Sequence, residues 1–256
     1  MRAHHTPQAA ARRAARRRSA GALTRGERKE EGRVDILQSA AGLLAQHGYH
    51  GMSMRDLASS TGMSLANLYN YFASKEDVLF ALQTRAFETL IAMAEQVNAT
   101  IEPGESRLHA FIFTHVRYVT SHSDAMRVLV EEAGELPPRH RQAVRAMKER
   151  YFRLGLAIVR EVVERGCAKA PGGAAMDEAA LERATYSIFG MLNWVYAWYA
   201  PARHGSAQDV ARSIHGLALC GLVARCPTRA VLAATERRVE KVEVRSPIHL
   251  HPKGAA

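Results

Sequence analysis

The sequence predicts an all-α fold, with an N-terminal three-helix domain that contains a helix-turn-helix and a C-terminal helical bundle. Three observations carry this prediction. Apolar residues recur at three- and four-residue spacing along most of the chain, which is the period of an amphipathic helix. Side chains that cap helices precede these apolar runs, and Gly or Pro follows them. No alternating run of useful strand length occurs before the C-terminal tail.

The composition is that of a globular protein with an excess of positive charge. Of the 256 residues, 47% are hydrophobic and 23% are charged, and the net charge is +10. This excess favours a polyanionic partner, either nucleic acid or an anionic membrane surface. The three cysteines form no CxxC pair. This argues against a disulfide framework or a zinc knuckle and fits a reducing cytoplasm.

The first 31 residues form a basic arm, with nine Arg or Lys against three Glu. The arm has almost no large apolar side chains to build a core, so we expect it to be disordered. Two interpretations stay open: a solubilising tail, and an arm that binds DNA phosphates or the minor groove. At the other end, residues 227–256 form a polar tail, in which three valines suggest a short strand or a further helical turn.

Residues 32–78 predict the helix-turn-helix domain. A first helix starts at Val34 and stops at Gly48. Ser53 caps a second helix, with Asp56 completing a capping box. After a tight turn, Ser64 caps a third helix over 65–72, and Ser74 caps a fourth, with Asp77 again completing a box. Two short helices joined by a Gly-containing turn form a helix-turn-helix.

The third helix has one apolar side and one polar side. Leu68 and Phe72 share a face and should anchor it in the core. The opposite face carries no acidic residue and consists of Ala66, Asn67, Asn70 and Tyr71. Such a face can enter the major groove, where Asn makes two hydrogen bonds to adenine. The alternative is a solvated face on a core helix.

Residues 34–80 resemble the DNA-binding domain of the TetR family of bacterial transcriptional regulators. The matching residues are Ala41 to Leu44, Gly48, Tyr49, Ser53 to Ala58, Gly62 to Ser64, Leu68 to Phe72 and Ser74 to Glu76. The resemblance implies that Tyr69 and Tyr71 contact phosphate or base, and that Lys75 and the Ser53 end of the second helix grip phosphates. Leu65 departs from the basic or polar residue common in the family, and either touches a thymine methyl or packs.

The predicted DNA-binding residues are Ser53, Arg55, Ser64, Leu65, Ala66, Asn67, Tyr69, Asn70, Tyr71 and Lys75. The partner they imply is a pseudo-palindromic double-stranded DNA operator in the bacterial nucleoid.

Residues 79–226 predict a bundle for ligand binding and dimerisation. The predicted helices cover 78–98, 105–122, 124–134, 138–165, 176–199 and 206–226. Between Arg183 and Arg203 no charge occurs, but the polar residues there are too many for a membrane span. We therefore expect no membrane partner, and a helix buried in protein on nearly all sides.

Three sets of side chains at helical spacing are candidates for a ligand pocket. The predicted ligand-binding residues are Phe111, His115, Tyr118, Arg150, Tyr151, Leu154, Met191, Asn193, Trp194 and Trp198. Aromatic walls with a few polar groups are typical of a small-molecule pocket. The alternative for each residue is core packing.

A second resemblance concerns residues 184–222 and the preceding Glu131-Glu132 segment. These are similar to a TetR branch whose members regulate fatty-acid, phenylacetate and steroid-ring breakdown and respond to acyl-coenzyme A thioesters. The resemblance implies no cofactor but an effector of that type, with Arg150 among the cations that bind its phosphates.

The last two predicted helices are the expected interface of a homodimer. Two recognition helices must reach half-sites about 34–36 Å apart, or a multiple of that distance, which one copy cannot do. Ile214, Leu217, Ala218, Gly221 and Leu222 give a seam with small residues. The sequence thus predicts a repressor that its effector releases from DNA.

Two alternatives come from other functional classes. A catalytic function is not expected, because the sequence has no HExxH, GxSxG or phosphate-binding glycine loop, and no His/Cys set with metal-ligand spacing. The other is a sequence-indifferent DNA-packing protein that uses the basic arm, whose binding would fall steeply with salt.

Overall fold

The computed structural model describes residues 24–167 and 176–223, and within these ranges it contains eleven helices and no strand. The helices are α1 (Arg25–Gly51), α2 (Met54–Thr61), α3 (Leu65–Tyr69), α4 (Lys75–Thr100), α5 (Glu105–Ser121), α6 (Ser123–Glu131), α7 (Pro138–Cys167), α8 (Glu178–Asn193), α9 (Val195–Trp198), α10 (Pro201–His204) and α11 (Ala207–Val223). The prediction of an all-α fold is confirmed. The arm up to residue 23, residues 168–175 between the predicted helices over 138–165 and 176–199, and the polar tail lie outside the described residues.

Helix α1 begins nine residues before the predicted start. The Thr24 Oγ1 accepts a hydrogen bond from the Glu27 amide at 3.2 Å, and the Thr24 amide donates to Glu27 Oε2 at 2.7 Å. This capping box satisfies amides that the first turn would leave unpaired. The prediction that residues 25–31 belong to a disordered arm is therefore wrong.

The turns of the N-terminal domain follow the predicted signals. Gly48 has a φ of 69°, and this break in α1 returns Tyr49 to the core. Ser53 and Asp56 form the expected capping box. Gly62, with a φ of 64°, is left-handed, a conformation in which a side chain is strained. It turns the chain between α2 and α3.

Helix α4 joins the two parts of the molecule. Its 26 residues span about 39 Å. Its buried side chains recur at helical spacing from Val78 to Val97. Helix α4 packs against α5 and α7 in the C-terminal bundle, and α6 packs against both α4 and α1. The N-terminal domain therefore packs on α6 as well as on the connecting helix α4.

The predicted helix over 176–199 is interrupted at Trp194. The Trp194 amide bonds to the Leu192 carbonyl and the Ala197 amide to the Trp194 carbonyl, so the regular i→i−4 ladder is lost there. The break separates α8 from α9 and buries Val195 and Tyr196. The prediction of one continuous helix is therefore wrong. It was made because the apolar spacing is uniform and no helix-breaking residue precedes Pro201 within the segment.

Candidate nucleic-acid interface and effector site

Helix α3 is held by its apolar side and presents its polar side to solvent. Leu68 is fully buried and Phe72 is 3% exposed, as predicted. The Ser64 Oγ accepts a hydrogen bond from the Asn67 amide at 3.2 Å and caps the helix. The helix ends at Tyr69, three residues earlier than predicted, and a turn follows.

Most of the predicted DNA-binding residues are exposed. Tyr69 is 47% exposed, which is high for an aromatic side chain. The other exposed members are Ser53, Arg55, Ser64, Ala66, Asn67 and Asn70. Leu65 is half-buried and packs on the core, which favours packing over the thymine contact as its role.

Tyr71 does not project freely beside the two asparagines. It is half-buried and packs against Gly32 of α1. If residue 32 carried a side chain, its Cβ atom would lie only 2.8 Å from the Tyr71 hydroxyl. The Arg33 guanidinium donates to the Tyr71 carbonyl at 3.1 Å. The outward orientation predicted for Tyr71 is corrected, because the helix wheel did not include the packing of α1.

Lys75 has structural partners within the protomer. Its ammonium donates to the carbonyls of Tyr49 and Met52 at 2.8 and 3.1 Å and lies 4.1 Å from the centre of the Tyr49 ring. These carbonyls follow the break at Gly48, so no helical amide reaches them. Lys75 thus joins the end of α1 to the start of α4, and its predicted phosphate contact stays a prediction.

Part of the predicted ligand set forms a buried aromatic cluster in the bundle. Phe111, His115 and Tyr151 are each at most 5% exposed, and Tyr151 Oη is hydrogen-bonded to His115 Nδ1 at 2.8 Å. Burial lowers the pKa of His115 to about 4 and raises the pKa of Tyr151. The other ring nitrogen, His115 Nε2, is buried and has no hydrogen-bond partner among the described residues.

Phe189 completes this cluster and was not among the residues predicted from the sequence. Its ring centre lies 5.5 Å from that of Tyr151 and 6.0 Å from that of Phe111. The signal was available, since Phe189 follows Leu181 and Thr185 on the buried face of α8. The prediction instead chose Trp194 and Trp198 from the same uncharged segment between Arg183 and Arg203.

The Trp residues lie outside this cluster. Trp194 is 59% and Trp198 is 41% exposed, so within one protomer this segment is not buried on nearly all sides, in contrast to the expectation. Together with Met191 and Leu217 they line a groove of about 650 Å³ between α8, α9 and α11. Of the predicted ligand residues, three therefore lie in a buried cluster and three line an open groove.

The remaining predicted ligand residues are scattered. Arg150 is exposed and hydrogen-bonds to Glu95, at the surface of the bundle. Tyr118 is buried and stacks on His122. Leu154 packs half-buried on the core, and Asn193 is half-buried at the end of α8. The structure does not bring these four residues together with the buried cluster as one pocket.

The end of α6 connects the two domains through contacts that the sequence did not indicate. Glu132 Oε1 accepts a hydrogen bond from the Tyr49 amide at 3.2 Å, and the buried Gln83 donates to the Glu132 carbonyl at 3.3 Å. The neighbouring Glu131 accepts from the Tyr196 hydroxyl at 3.1 Å. One helix end therefore contacts α1, α4 and α9.

Two kinds of site are not found in the described part of the chain. No group of three or more His, Cys, Asp or Glu side chains is placed to hold a metal ion there. None of its helices is both long and apolar enough to cross a membrane.

Two family models match the two parts of the chain. Residues 36–82 match the model of bacterial regulatory proteins of the tetR family, and residues 102–222 match the tetracyclin repressor-like C-terminal domain. These segments contain the helix-turn-helix and the bundle from α5 to α11.

The relatives are transcriptional regulators. The repressor KstR2 of Mycobacterium tuberculosis is 23% identical over 193 residues, which are 74% of this chain and 92% of KstR2. The activator FasR of Mycolicibacterium smegmatis is 27% identical over 135 residues, which are 52% of this chain and 62% of FasR. The chain thus matches less than two thirds of the length of FasR.

Solved structures share the fold. The regulator PfmR of Thermus thermophilus has a TM-score of 0.63 and 32% identity, over 73% of this chain and 98% of PfmR. AibR, crystallised with isovaleryl coenzyme A and operator DNA, has a TM-score of 0.62 and 24% identity, over 72% of this chain and 96% of AibR. The two matched models and the likeness to nearly all of PfmR show that the chain belongs to the TetR family of bacterial regulatory proteins, whose members are DNA-binding transcriptional regulators and not enzymes.

Proposed function

We propose that this protein is a dimeric repressor that binds a pseudo-palindromic operator through α3 and is released by a small hydrophobic effector or an acyl-coenzyme A thioester. The observation that carries the proposal is the exposed face of α3. It offers two amides and a tyrosine without an acidic residue, on a helix that Leu68 and Phe72 hold in place. Asn and Tyr at such a face suit hydrogen bonds to base edges and phosphates.

The dimer is supported by an apolar face that is exposed in the protomer. Trp194 and Trp198 of the α8–α9 region are 59% and 41% exposed, Leu217 of α11 is 67% exposed, and the three side chains line one groove. Large apolar side chains exposed together are typical of an interface. Of the seam predicted from the sequence, Ile214 and Ala218 instead face the protomer's own core. The contact between copies therefore uses Leu217 and the small residues beside it.

The effector proposal is supported by the unpaired nitrogen of His115. A buried polar atom without a partner costs on the order of 1–3 kcal/mol, and a ligand that hydrogen-bonds to it would recover this energy. The aromatic rings of Phe111, Tyr151 and Phe189 supply an apolar wall around it. A thioester or carbonyl oxygen, or a hydroxyl, has the chemistry to complete the site. The isovaleryl coenzyme A bound by AibR makes acyl-coenzyme A the first class to test.

DNA recognition is tested with Tyr69→Ala. A duplex enriched from a random-sequence pool by the full-length protein serves as the probe in a mobility-shift titration. Loss of one such contact should weaken binding by about 1–3 kcal/mol, or roughly 5- to 150-fold. Tyr69 is half exposed, so the thermal unfolding midpoint should change little. Unaltered affinity would contradict the placement of α3 on DNA.

Effector release is tested with a panel of acyl-coenzyme A thioesters and free coenzyme A, added to the protein–duplex complex. We expect at least one thioester to release the duplex, and His115→Phe to retain DNA binding while losing that response. A panel that leaves binding unchanged would defeat the effector proposal while leaving DNA recognition intact.

A further inference from the structure

A basic cleft adjoins the proposed recognition helix. It has a volume of about 630 Å³ and is lined by Arg25, Arg28 and Lys29 of α1 and by Asn67, Asn70 and Tyr71. All three cations are exposed. Side chains from the start of α1 thus share one concave surface with the two asparagines proposed to contact bases.

The charges of this first part of α1 are segregated by face. Positions 25, 28, 29 and 32 lie on one side of the helix, since they are three, four and seven residues apart. The acids lie outside the lining of the cleft: Glu27 caps the helix with Thr24, Glu30 pairs with Arg85 of α4 at 3.0 Å, and Glu31 is exposed and is not part of the lining. No carboxylate of residues 24–167 or 176–223 forms an ion pair with the three cations.

The spacing between this basic face and α3 is fixed by packing. Gly32 lets the Tyr71 hydroxyl approach α1 more closely than any other residue would allow without a shift. The next residue, Arg33, donates to the Tyr71 carbonyl and lies 4.4 Å from the centre of the Phe72 ring. The cations are therefore carried on a helix that is held against the end of the recognition unit.

We propose that Arg25, Arg28 and Lys29 form a second DNA-contacting surface, which binds the phosphodiester backbone beside the groove that α3 enters. This inference rests on the proposed function. Clustered cations next to a base-reading face match the uniform negative charge of the DNA backbone. An anionic membrane is a poorer fit, because the cleft offers no aliphatic side chain to insert beside its charges.

The test compares the salt dependence of DNA binding in full-length variants. The probes are the enriched duplex and a scrambled duplex of the same composition. Each lost phosphate contact reduces the slope of log K against log salt by about 0.9, so Arg28→Gln with Lys29→Gln should lower it by about 2 per protomer. The ratio of the affinities for the two duplexes should be retained, because phosphate contacts do not read sequence.

Two control variants separate charge from side-chain shape. Arg145→Gln with Lys148→Gln removes the same charge from exposed positions of α7 and should leave the slope close to that of the wild type. Arg28→Lys with Lys29→Arg keeps the charge and should keep the slope.

Several results would overturn the inference. One is a salt slope of the Arg28→Gln, Lys29→Gln variant that equals the slope of the α7 control. Another is a reduced salt slope in the charge-conserving variant. The third is a variant that loses its preference for the enriched duplex together with its salt slope. Failure of the proposed function would look different. The wild type would then bind both duplexes equally, while the slopes on the scrambled duplex would still report the phosphate contacts.

Discussion

At the scale of single residues, His115 is a fully buried titratable group of the bundle. Its ring is enclosed by aromatic side chains, and its hydrogen-bonded neighbour Tyr151 is buried as well. Desolvation penalises the charged imidazolium and lowers the pKa of His115 from 6.5 to about 4. The folded protein therefore holds this histidine neutral at physiological pH.

This shift predicts a specific loss of stability in acid. The unfolded chain binds a proton near pH 6.5 whereas the folded protein resists it down to about pH 4, so stability is complete above pH 6.5 and is lost as the pH falls through that window. The loss attributable to His115 is on the order of 3 kcal/mol.

The measurement is the free energy of unfolding from urea titrations at several pH values between 4 and 7. The slope against pH should be smaller in His115→Gln than in the wild type, since other groups titrate in both proteins. Parallel curves for the two proteins would show that His115 is not held neutral by the fold.

At the scale of elements, the end of α6 is the contact through which the bundle supports the DNA-binding domain. Glu132 bonds to the Tyr49 amide directly after the break in α1, and Lys75 binds the carbonyl of the same residue. Glu131, next to it, contacts Tyr196 of α9. A displacement of α6 would therefore reach both the end of α1 and the α9 segment beside the open groove.

Glu132→Ala should loosen the end of α1 locally. The buried Tyr49 amide would lose its hydrogen-bond acceptor. The free energy of the local opening that exposes this amide to solvent should therefore fall by about 1–3 kcal/mol. Native-state hydrogen exchange at Tyr49 measures this change. Glu131→Ala is the matched control, because it removes a carboxylate one residue away that does not contact Tyr49. Equal protection of Tyr49 in the wild type and in Glu132→Ala would contradict a support role for α6.

At the scale of the whole molecule, the exposed apolar face of α8, α9 and α11 is the surface expected to join two copies. A twofold axis there would set the distance between two α3 helices, which DNA half-sites fix at about 34–36 Å or a multiple of that distance. Tight DNA binding then depends on dimerisation, because both half-sites are occupied tightly only when the two copies are linked.

Leu217→Glu should separate the copies. The change buries a carboxylate in the interface, close to its own symmetry mate, and this should shift the protein to a monomer in sedimentation velocity at micromolar concentration. Affinity for the enriched duplex should fall with it. Val130→Glu introduces the same charge at another exposed apolar position and should remain a dimer. A dimeric Leu217→Glu protein would place the interface elsewhere.

The local features of this fold were predictable from neighbouring residues. These features depend only on side chains within about four positions in the sequence, so they can be predicted from the sequence alone. They are the caps at Ser53, Ser64 and Ser74, the turn at Gly62 and the burial of Leu68. The exposed polar face of α3 followed from the same periodicity.

Contacts between distant segments were not predictable in this way. Tyr71 turns toward Gly32, Lys75 binds carbonyls near the end of α1, and the Trp residues of the uncharged run face solvent while Phe189 fills the core. Periodicity reports which side of a helix is apolar, but not which element, or which second copy of the chain, covers that side. The helical elements and the presentation of α3 thus come from short-range pattern, whereas the partners of Tyr71, Lys75 and His115 come from how α1, α4, α5 and α7 pack together.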